Sequence, residues 1–158
     1  MNIDLICMGK LKDKWEKDAF AEYVKRLGAY GTVKCTELKE CRLSESPSPK
    51  ETERALCEEA QRIREQIPKN SAVIAMCIEG KKLSSEGFAE KIESFSGSYS
   101  GICLVIGSSY GLSEDFKKEA QLRLSMSDMT FPHRLARIMA AEQLYRAFSI
   151  NAGSKYHK

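Results

Sequence analysis

The sequence has no hydrophobic run close to the roughly 20 residues that a membrane-spanning helix needs. Residues 1–8 also lack the basic start and apolar core of a signal peptide. Apolar residues make up 42% of the chain and charged residues 30%, a balance typical of folded globular proteins and not of disordered ones. We therefore expect a cytoplasmic protein that does not contact a membrane.

Metal-binding patterns are also missing. The only two histidines, His133 and His157, lie far from every cysteine in the sequence, and no Cys-x-x-Cys pair occurs. Three of the six cysteines, Cys7, Cys77 and Cys103, lie within apolar runs that are typical of strands. We expect reduced thiols that pack as small apolar side chains, and no metal site.

Phosphate-binding loops are a third absence. Residues 107–111 form a glycine-containing stretch after an apolar run, but they match neither G-x-G-x-x-G nor the P-loop pattern. This disfavours dinucleotides and nucleoside triphosphates as ligands. A nucleotide-binding protein of flavodoxin-like topology stays an alternative, which failure to bind FMN or nucleotides would exclude. A glycine directly after a strand still allows a ligand to approach the backbone closely.

What the sequence does contain is an alternation of strand and helix signals along all 158 residues. Residues 3–8, 32–38, 71–78 and 102–106 are apolar or β-branched runs typical of strands, and the segments between them repeat apolar residues at helical spacing. Continuous apolar runs are typical of strands buried on both faces, as in a parallel sheet. The pattern predicts an α/β protein with a mainly parallel sheet flanked by helices, in a single domain spanning residues 1–158.

Several boundaries can be assigned from individual residues. Ser48 is expected to cap a helix, and Gly80 is expected to end the strand over 71–78. The helix after Ser113 is expected to carry three apolar residues on one face, Phe116, Ala120 and Leu124. Residues 123–129 alternate weakly and predict a last strand, after which Pro132 suits the first position of a final helix.

Ligands of open α/β sheets bind beyond the carboxyl ends of the strands. Three such ends are expected here, at residues 76–78, 106–107 and 126–131. These segments are therefore the candidate ligand site.

The last 28 residues concentrate basic side chains and both histidines. Five basic residues face one acidic residue, Glu142, over residues 131–158: Arg134, Arg137, Arg146, Lys155 and Lys158. Such a cluster at one end suggests an anionic partner, of which nucleic acid is the commonest. Glu142 and Arg146 have the i,i+4 spacing of an ion pair. His133 lies in the first helical turn, where a helix amino end lowers the pKa of histidine and favours its neutral form.

Five stretches together resemble the SPOUT family of methyltransferases, and within it the pseudouridine-N3 methyltransferases of the large ribosomal subunit. They are MGKLK at 8–12, LVIGSSYGLS at 104–113, MTFPH at 129–133, EQLYRAF at 142–148 and YHK at 156–158. The resemblance covers essentially the whole chain, and the C-terminal stretches are its most specific part.

The resemblance implies an α/β fold with a trefoil knot near the C-terminus and a homodimer in the cytoplasm. It implies S-adenosylmethionine as the cofactor, and methylation of N3 of a pseudouridine, position 1915, in 23S rRNA of the assembled ribosome. The cofactor-binding residues that it implies are Met76, Gly107, Met126, Ser127, Asp128, Met129, Thr130 and Phe131.

Catalytic roles are hypotheses within this resemblance. The N3 proton of the base must leave, and a neutral His133 or His157 could accept it. Arg146 could stabilise negative charge that develops on a carbonyl oxygen, and Tyr156 could stack on the base or bind it by a hydrogen bond.

One residue departs from the family pattern. Ser108 stands where the family commonly has a second glycine, so Gly107 is the firmer of the two predicted contacts. The alternative to an enzyme is a non-catalytic, dimeric RNA-binding module that keeps the fold. Calorimetry with S-adenosylmethionine would separate the two, because the module predicts no cofactor binding.

Overall fold

Strands and helices alternate in the computed structural model, which describes residues 1–156. The strands are β1 (Asn2–Met8), β2 (Thr32–Leu38), β3 (Ser71–Lys82), β4 (Gly101–Ile106) and β5 (Leu122–Ser125). The helices are α1 (Lys14–Leu27), α2 (Pro49–Gln66), α3 (Ser85–Ser96), α4 (Glu114–Glu119) and α5 (His133–Asn151). The order of elements confirms the predicted α/β class.

The five strands form one sheet in the order β2-β1-β4-β3-β5, and every neighbouring pair is parallel. The central strands β1 and β4 are apolar and buried on both faces. One face of the sheet packs against α1, α3 and α5 through Leu27, Phe88 and Leu144. The other face packs against α2 and α4 through Ile63 and Phe116. Parallel connections bring all carboxyl strand ends to one edge.

The cysteines predicted to lie in strands do so, in β1, β3 and β4. Burial raises the pKa of the Cys7 and Cys103 thiols to about 12, so both stay protonated at neutral pH. All six cysteines are free thiols. Cys7 and Cys103 therefore act as small apolar side chains, as expected.

The predicted end of β3 at Gly80 is wrong, since the strand continues to Lys82. Its pairing with β5 shifts register, so that Met76 and Lys81 both lie opposite Leu124. A Cβ on Gly80 would collide with the backbone of Arg123 and Leu124. Glycine here permits a close approach of two strands and does not end one.

The boundaries around α4 also need correction. Leu124 belongs to β5 and not to the preceding helix, which ends at Glu119. The spacing between Phe116 and Leu124 fits a helix only by coincidence. Leu122 and Leu124 are apolar because they pack in the core, in the strand beside β3. The last strand accordingly spans Leu122–Ser125 and not 123–129. Pro132 is the N-cap of α5, one position earlier than predicted.

No helix within residues 1–156 is long and apolar enough to cross a membrane. The C-terminal knot depends on how the chain threads through itself. Strand order and register do not describe threading, so the knot stays a prediction.

Candidate functional site

A cavity of about 620 Å³ lies at the carboxyl ends of β3, β4 and β5. This volume is within the usual range of small-molecule sites. Seven of the eight residues predicted to bind the cofactor line it: Met76, Gly107, Met126, Ser127, Met129, Thr130 and Phe131. Asp128 does not, and its exposed carboxylate instead accepts a hydrogen bond from Lys82 Nζ at 2.6 Å. The fold therefore brings the three predicted strand ends to one cavity.

Gly107 forms part of the cavity wall, where the lack of a side chain lets a ligand lie close to the backbone. A Cβ at this position would overlap the carbonyl group of Gly111 and touch Leu112. Gly111 itself has φ +85° and donates its amide hydrogen to Ser108 O at 2.8 Å, which closes a tight turn. The absence of a side chain at Gly107 is thus required by the turn that forms this wall.

The loop after β5 is ordered by serine side chains. Ser127 Oγ accepts a hydrogen bond from Met129 N at 3.0 Å, and Ser125 Oγ donates to Ser127 O at 3.1 Å. These bonds hold the backbone of the loop in one conformation. A backbone that is ordered in advance can offer its polar groups to a ligand at a lower entropic cost.

Lys117 is a cavity residue that the sequence did not identify. Its side chain is buried and pairs with Glu79 and with Glu114, the latter at 2.5 Å. Burial lowers the pKa of Lys117, but hydrogen bonds to Glu114 and Glu79 outweigh this effect and leave the pKa raised. The i,i+3 spacing to Glu114 was readable in the sequence, whereas Glu79 lies 38 residues away and was not.

His133 lines the same cavity, at its junction with the first turn of α5. Burial lowers the pKa of His133, and the charges of Arg137 and Arg134 lower it further. Glu40, whose Oε1 lies 3.8 Å from His133 Nε2, and Glu16 oppose this shift. The lowered pKa agrees with the prediction, although burial is its main cause. A neutral imidazole beside the cavity is able to accept a proton.

Arg146 and Tyr156 meet at Glu142. Arg146 Nη2 lies 2.5 Å from Glu142 Oε1, which confirms the predicted i,i+4 pair. The Tyr156 hydroxyl donates to the same oxygen at 3.2 Å, and its ring lies 4.8 Å from the Arg146 guanidinium carbon. Burial raises the pKa of Tyr156, and Glu142 raises it further. Tyr156 is therefore folded back onto α5. His157 lies outside the described residues.

The three predicted catalytic residues that the structure describes, His133, Arg146 and Tyr156, are not brought together within one chain. Neither Arg146 nor Tyr156 lines the cavity that contains His133. Arg146 follows His133 by 13 positions on one helix, which corresponds to about 20 Å. A single described chain thus has a cavity at one end of α5 and an Arg-Tyr-Glu cluster at the other.

The basic C-terminal segment is largely neutralised within the fold. Arg134 Nη1 pairs with buried Glu16 at 3.0 Å. The Arg137 guanidinium is 1% exposed and pairs with Glu37 Oε2 at 3.0 Å. Together with the Glu142–Arg146 pair, these contacts occupy three of the five basic residues that the sequence suggested for an anionic partner. No group of three or more metal-ligating side chains within residues 1–156 is arranged to hold a metal ion.

Known proteins are similar to this chain over its whole length. The family described as "Predicted SPOUT methyltransferase" matches residues 1–157. A protein of Streptococcus thermophilus strain LMD-9 named "Ribosomal RNA large subunit methyltransferase H" is 43% identical over 159 residues, with 100% of both chains covered. A protein of the same name from Ligilactobacillus salivarius is 44% identical over 160 residues, again with 100% of both chains covered.

Among solved structures, the fold is similar to that of a "probable methylase family protein" from Haemophilus influenzae Rd KW20. The TM-score is 0.51 at 15% sequence identity, and the match covers 99% of this chain and 70% of the other. This likeness concerns the fold alone.

Proposed function

The chain belongs to the SPOUT methyltransferase family, and from this premise we propose that it methylates N3 of a pseudouridine, position 1915, in 23S rRNA of the assembled ribosome. The relatives of matching length are named for methylation of large-subunit rRNA. The observation that carries the proposal is the cavity where the ends of three parallel strands meet. We propose that the protein acts as a single domain in the cytoplasm, with the C-terminal knot of its family.

S-adenosylmethionine suits the residues of this cavity. The molecule has no phosphate, so a phosphate-binding loop is not needed. The Gly107 wall, the apolar side chains of Met76 and Phe131, and the ordered backbone after β5 would hold it. The cofactor supplies a methyl group on a sulfonium for in-line displacement, and the residues of the chain contribute by positioning.

His133 is our candidate for the group that accepts the N3 proton. It lies at the cavity wall, and its lowered pKa keeps the imidazole neutral at cytoplasmic pH. A general base must be unprotonated and within hydrogen-bonding reach of the proton it accepts. His157 stays the second candidate.

The separation of His133 from Arg146 and Tyr156 supports a homodimer. We propose that the C-terminal end of α5 and the tail of one subunit reach the cavity of the other. Three large apolar side chains that line the cavity are exposed and would be covered in such a dimer: Ile78, Tyr110 and Met129. In a two-fold dimer, each site would then combine residues of both chains.

The activity is tested by mass spectrometry of 23S rRNA from ribosomes that lack this methyl group, after incubation with the purified protein and S-adenosylmethionine. The expected result is a mass increase of one methyl group on the fragment that contains the pseudouridine. An unchanged fragment, with active control enzyme in parallel, would contradict the proposed function.

The shared site is tested with mixed dimers of His133→Ala and Arg146→Ala, purified through two different tags. If each site uses His133 of one chain and Arg146 of the other, one of the two sites in a mixed dimer is intact. We expect about half of the wild-type activity, against almost none for either variant alone. An inactive mixed dimer would place both residues in the same chain's site.

A further inference from the structure

A second depression lies beside the cofactor cavity, and we call it the outer groove. It is formed by Gly9, Lys10 and Lys12 after β1, by residues 37–44 at the end of β2 and beyond it, by one side of α2, and by residues 108–110. Its volume is about 980 Å³. Residues 108–110 also line the cofactor cavity. The outer groove and the cavity therefore lie on two sides of one loop.

Four basic side chains line the rim of the outer groove, beside the carboxylates of Glu37 and Glu40. They are Lys10, Lys12, Lys39 and Arg42, and all four side chains are exposed. Within residues 1–156, none of the four has an ion-pair partner within 4.0 Å. This differs from the C-terminal arginines, which are paired inside the fold. The loops after β1 and β2 thus present unpaired positive charge at the outer groove.

The floor of the outer groove contains a carboxyl group with one unpaired oxygen. Glu59 is 4% exposed, and its Oε1 accepts a hydrogen bond from Cys41 N at 3.0 Å. Its Oε2 is buried and has no hydrogen-bond partner. Burial raises the pKa of Glu59, and hydrogen bonds from Cys41 N and the Ser108 hydroxyl oppose that rise, yet no donor within residues 1–156 lies within hydrogen-bonding distance of Oε2. A buried acceptor without a donor is costly, so Glu59 is poised for a ligand that brings an N–H group.

Cations on the rim and an unsatisfied acceptor on the floor match the chemistry of a nucleotide. Phosphate oxygens pair with Lys and Arg, whereas exocyclic and ring N–H groups of bases donate to carboxylates. Proteins recognise RNA sequence mainly in unpaired strands, whose bases can turn away from the stack. Resting on the proposed function, we propose that the outer groove binds an unstacked nucleotide of the rRNA strand next to the methylated pseudouridine. Glu59 accepts from an N–H group of its base, and Lys10, Lys12, Lys39 and Arg42 contact the backbone phosphates.

The acceptor role is tested with Glu59→Gln, which keeps the shape of the side chain and removes its charge. We expect the KM for ribosomes that lack the methyl group to rise at least tenfold, because an amide can present a donor where the base needs an acceptor. The kcat at saturation and the Kd for S-adenosylmethionine, measured by calorimetry, are expected to stay within twofold of wild type. Glu53→Gln, on the exposed surface of the same helix, is the matched control.

The phosphate contacts are tested with the double variant Lys12→Gln/Lys39→Gln. Each lost contact is expected to reduce the slope of log Kd against log salt by about 0.7, so the double variant should lose about 1.4. Lys69→Gln/Lys91→Gln, which removes the same charge outside the outer groove, should keep the wild-type slope. Titration with cytidine monophosphate tests whether the outer groove instead binds a free nucleotide. Tight binding of cytidine monophosphate in the absence of ribosomes would contradict the proposal that the groove recognises an RNA strand.

The outcomes separate this inference from the proposed function. If the wild-type protein methylates the ribosome but Glu59→Gln and the double-lysine variant behave like their controls, the outer groove does not bind the RNA. If Glu59→Gln lowers the melting temperature and leaves the KM unchanged, Glu59 is structural and the inference is wrong. Failure of the wild-type protein to methylate would overturn the proposed function and this inference with it.

Discussion

Replacing Arg137 with Met tests how strongly α5 is tied to the end of β1. The guanidinium is 1% exposed and donates to Glu37 Oε2 at 3.0 Å, and to Met8 O and Gly9 O, each at 2.9 Å. Met fills much of the same volume but donates none of these bonds. Breaking a buried ion pair from one side costs about 3–5 kcal/mol. Because Glu37 is 42% exposed and can regain water, we expect the lower end, about 3 kcal/mol.

The measurement is equilibrium urea unfolding followed by far-UV circular dichroism, together with the melting temperature. For a protein of this size, a loss of about 3 kcal/mol corresponds to a decrease of roughly 6–12 °C. The control is Arg54→Met, whose partner Glu58 lies 3.7 Å away and whose side chain is 85% exposed. The control should change the free energy of unfolding by less than about 0.5 kcal/mol. Equal midpoints for both variants would refute the view that the Arg137 contacts stabilise this junction.

Three further predictions follow from single contacts. Because the pKa of His133 is lowered, the acidic limb of the pH profile of kcat/KM should lie below pH 6.5. Glu40 raises the pKa of His133, so Glu40→Gln should move this limb to still lower pH. A limb that does not move would exclude His133 as the base. Gly107→Ala should weaken S-adenosylmethionine binding in calorimetry at least tenfold, since the new Cβ overlaps Gly111, and wild-type affinity would contradict the fit. Ser48→Ala should destabilise the protein by about 1 kcal/mol in urea unfolding, because Ser48 Oγ caps α2; no change would mean that water replaces the cap.

The sheet was predictable because its signals are local. The apolar runs of β1 and β4 are buried on both faces, as continuous runs predict, and the Ser48 and Ser113 caps mark helix starts within the sequence itself. Once parallel strands are assigned, the convergence of their carboxyl ends follows from geometry. The cavity at Met76 and Gly107 could therefore be predicted without knowledge of any tertiary contact.

The errors arose where a distant partner decides the outcome. Leu124 fits a helical face by spacing, but its position beside β3 makes it part of a strand. The C-terminal arginines looked available for an anion, yet their carboxylates come from remote segments, as Glu16 does for Arg134 and Glu37 for Arg137. Counting charges along the sequence cannot reveal such pairs. For the same reason, the unpaired lysines of the outer groove and the buried Glu59 became visible only in three dimensions.

The position of β4 between β1 and β3 has a consequence for how the protein is made. During synthesis, β1, β2 and β3 emerge before the strand that joins β1 to β3 exists. Pairings between segments so distant in sequence form slowly. The segment after β5, which completes the cavity, emerges later still. A nascent chain that has not yet released this segment therefore lacks part of the cavity in which the cofactor would bind.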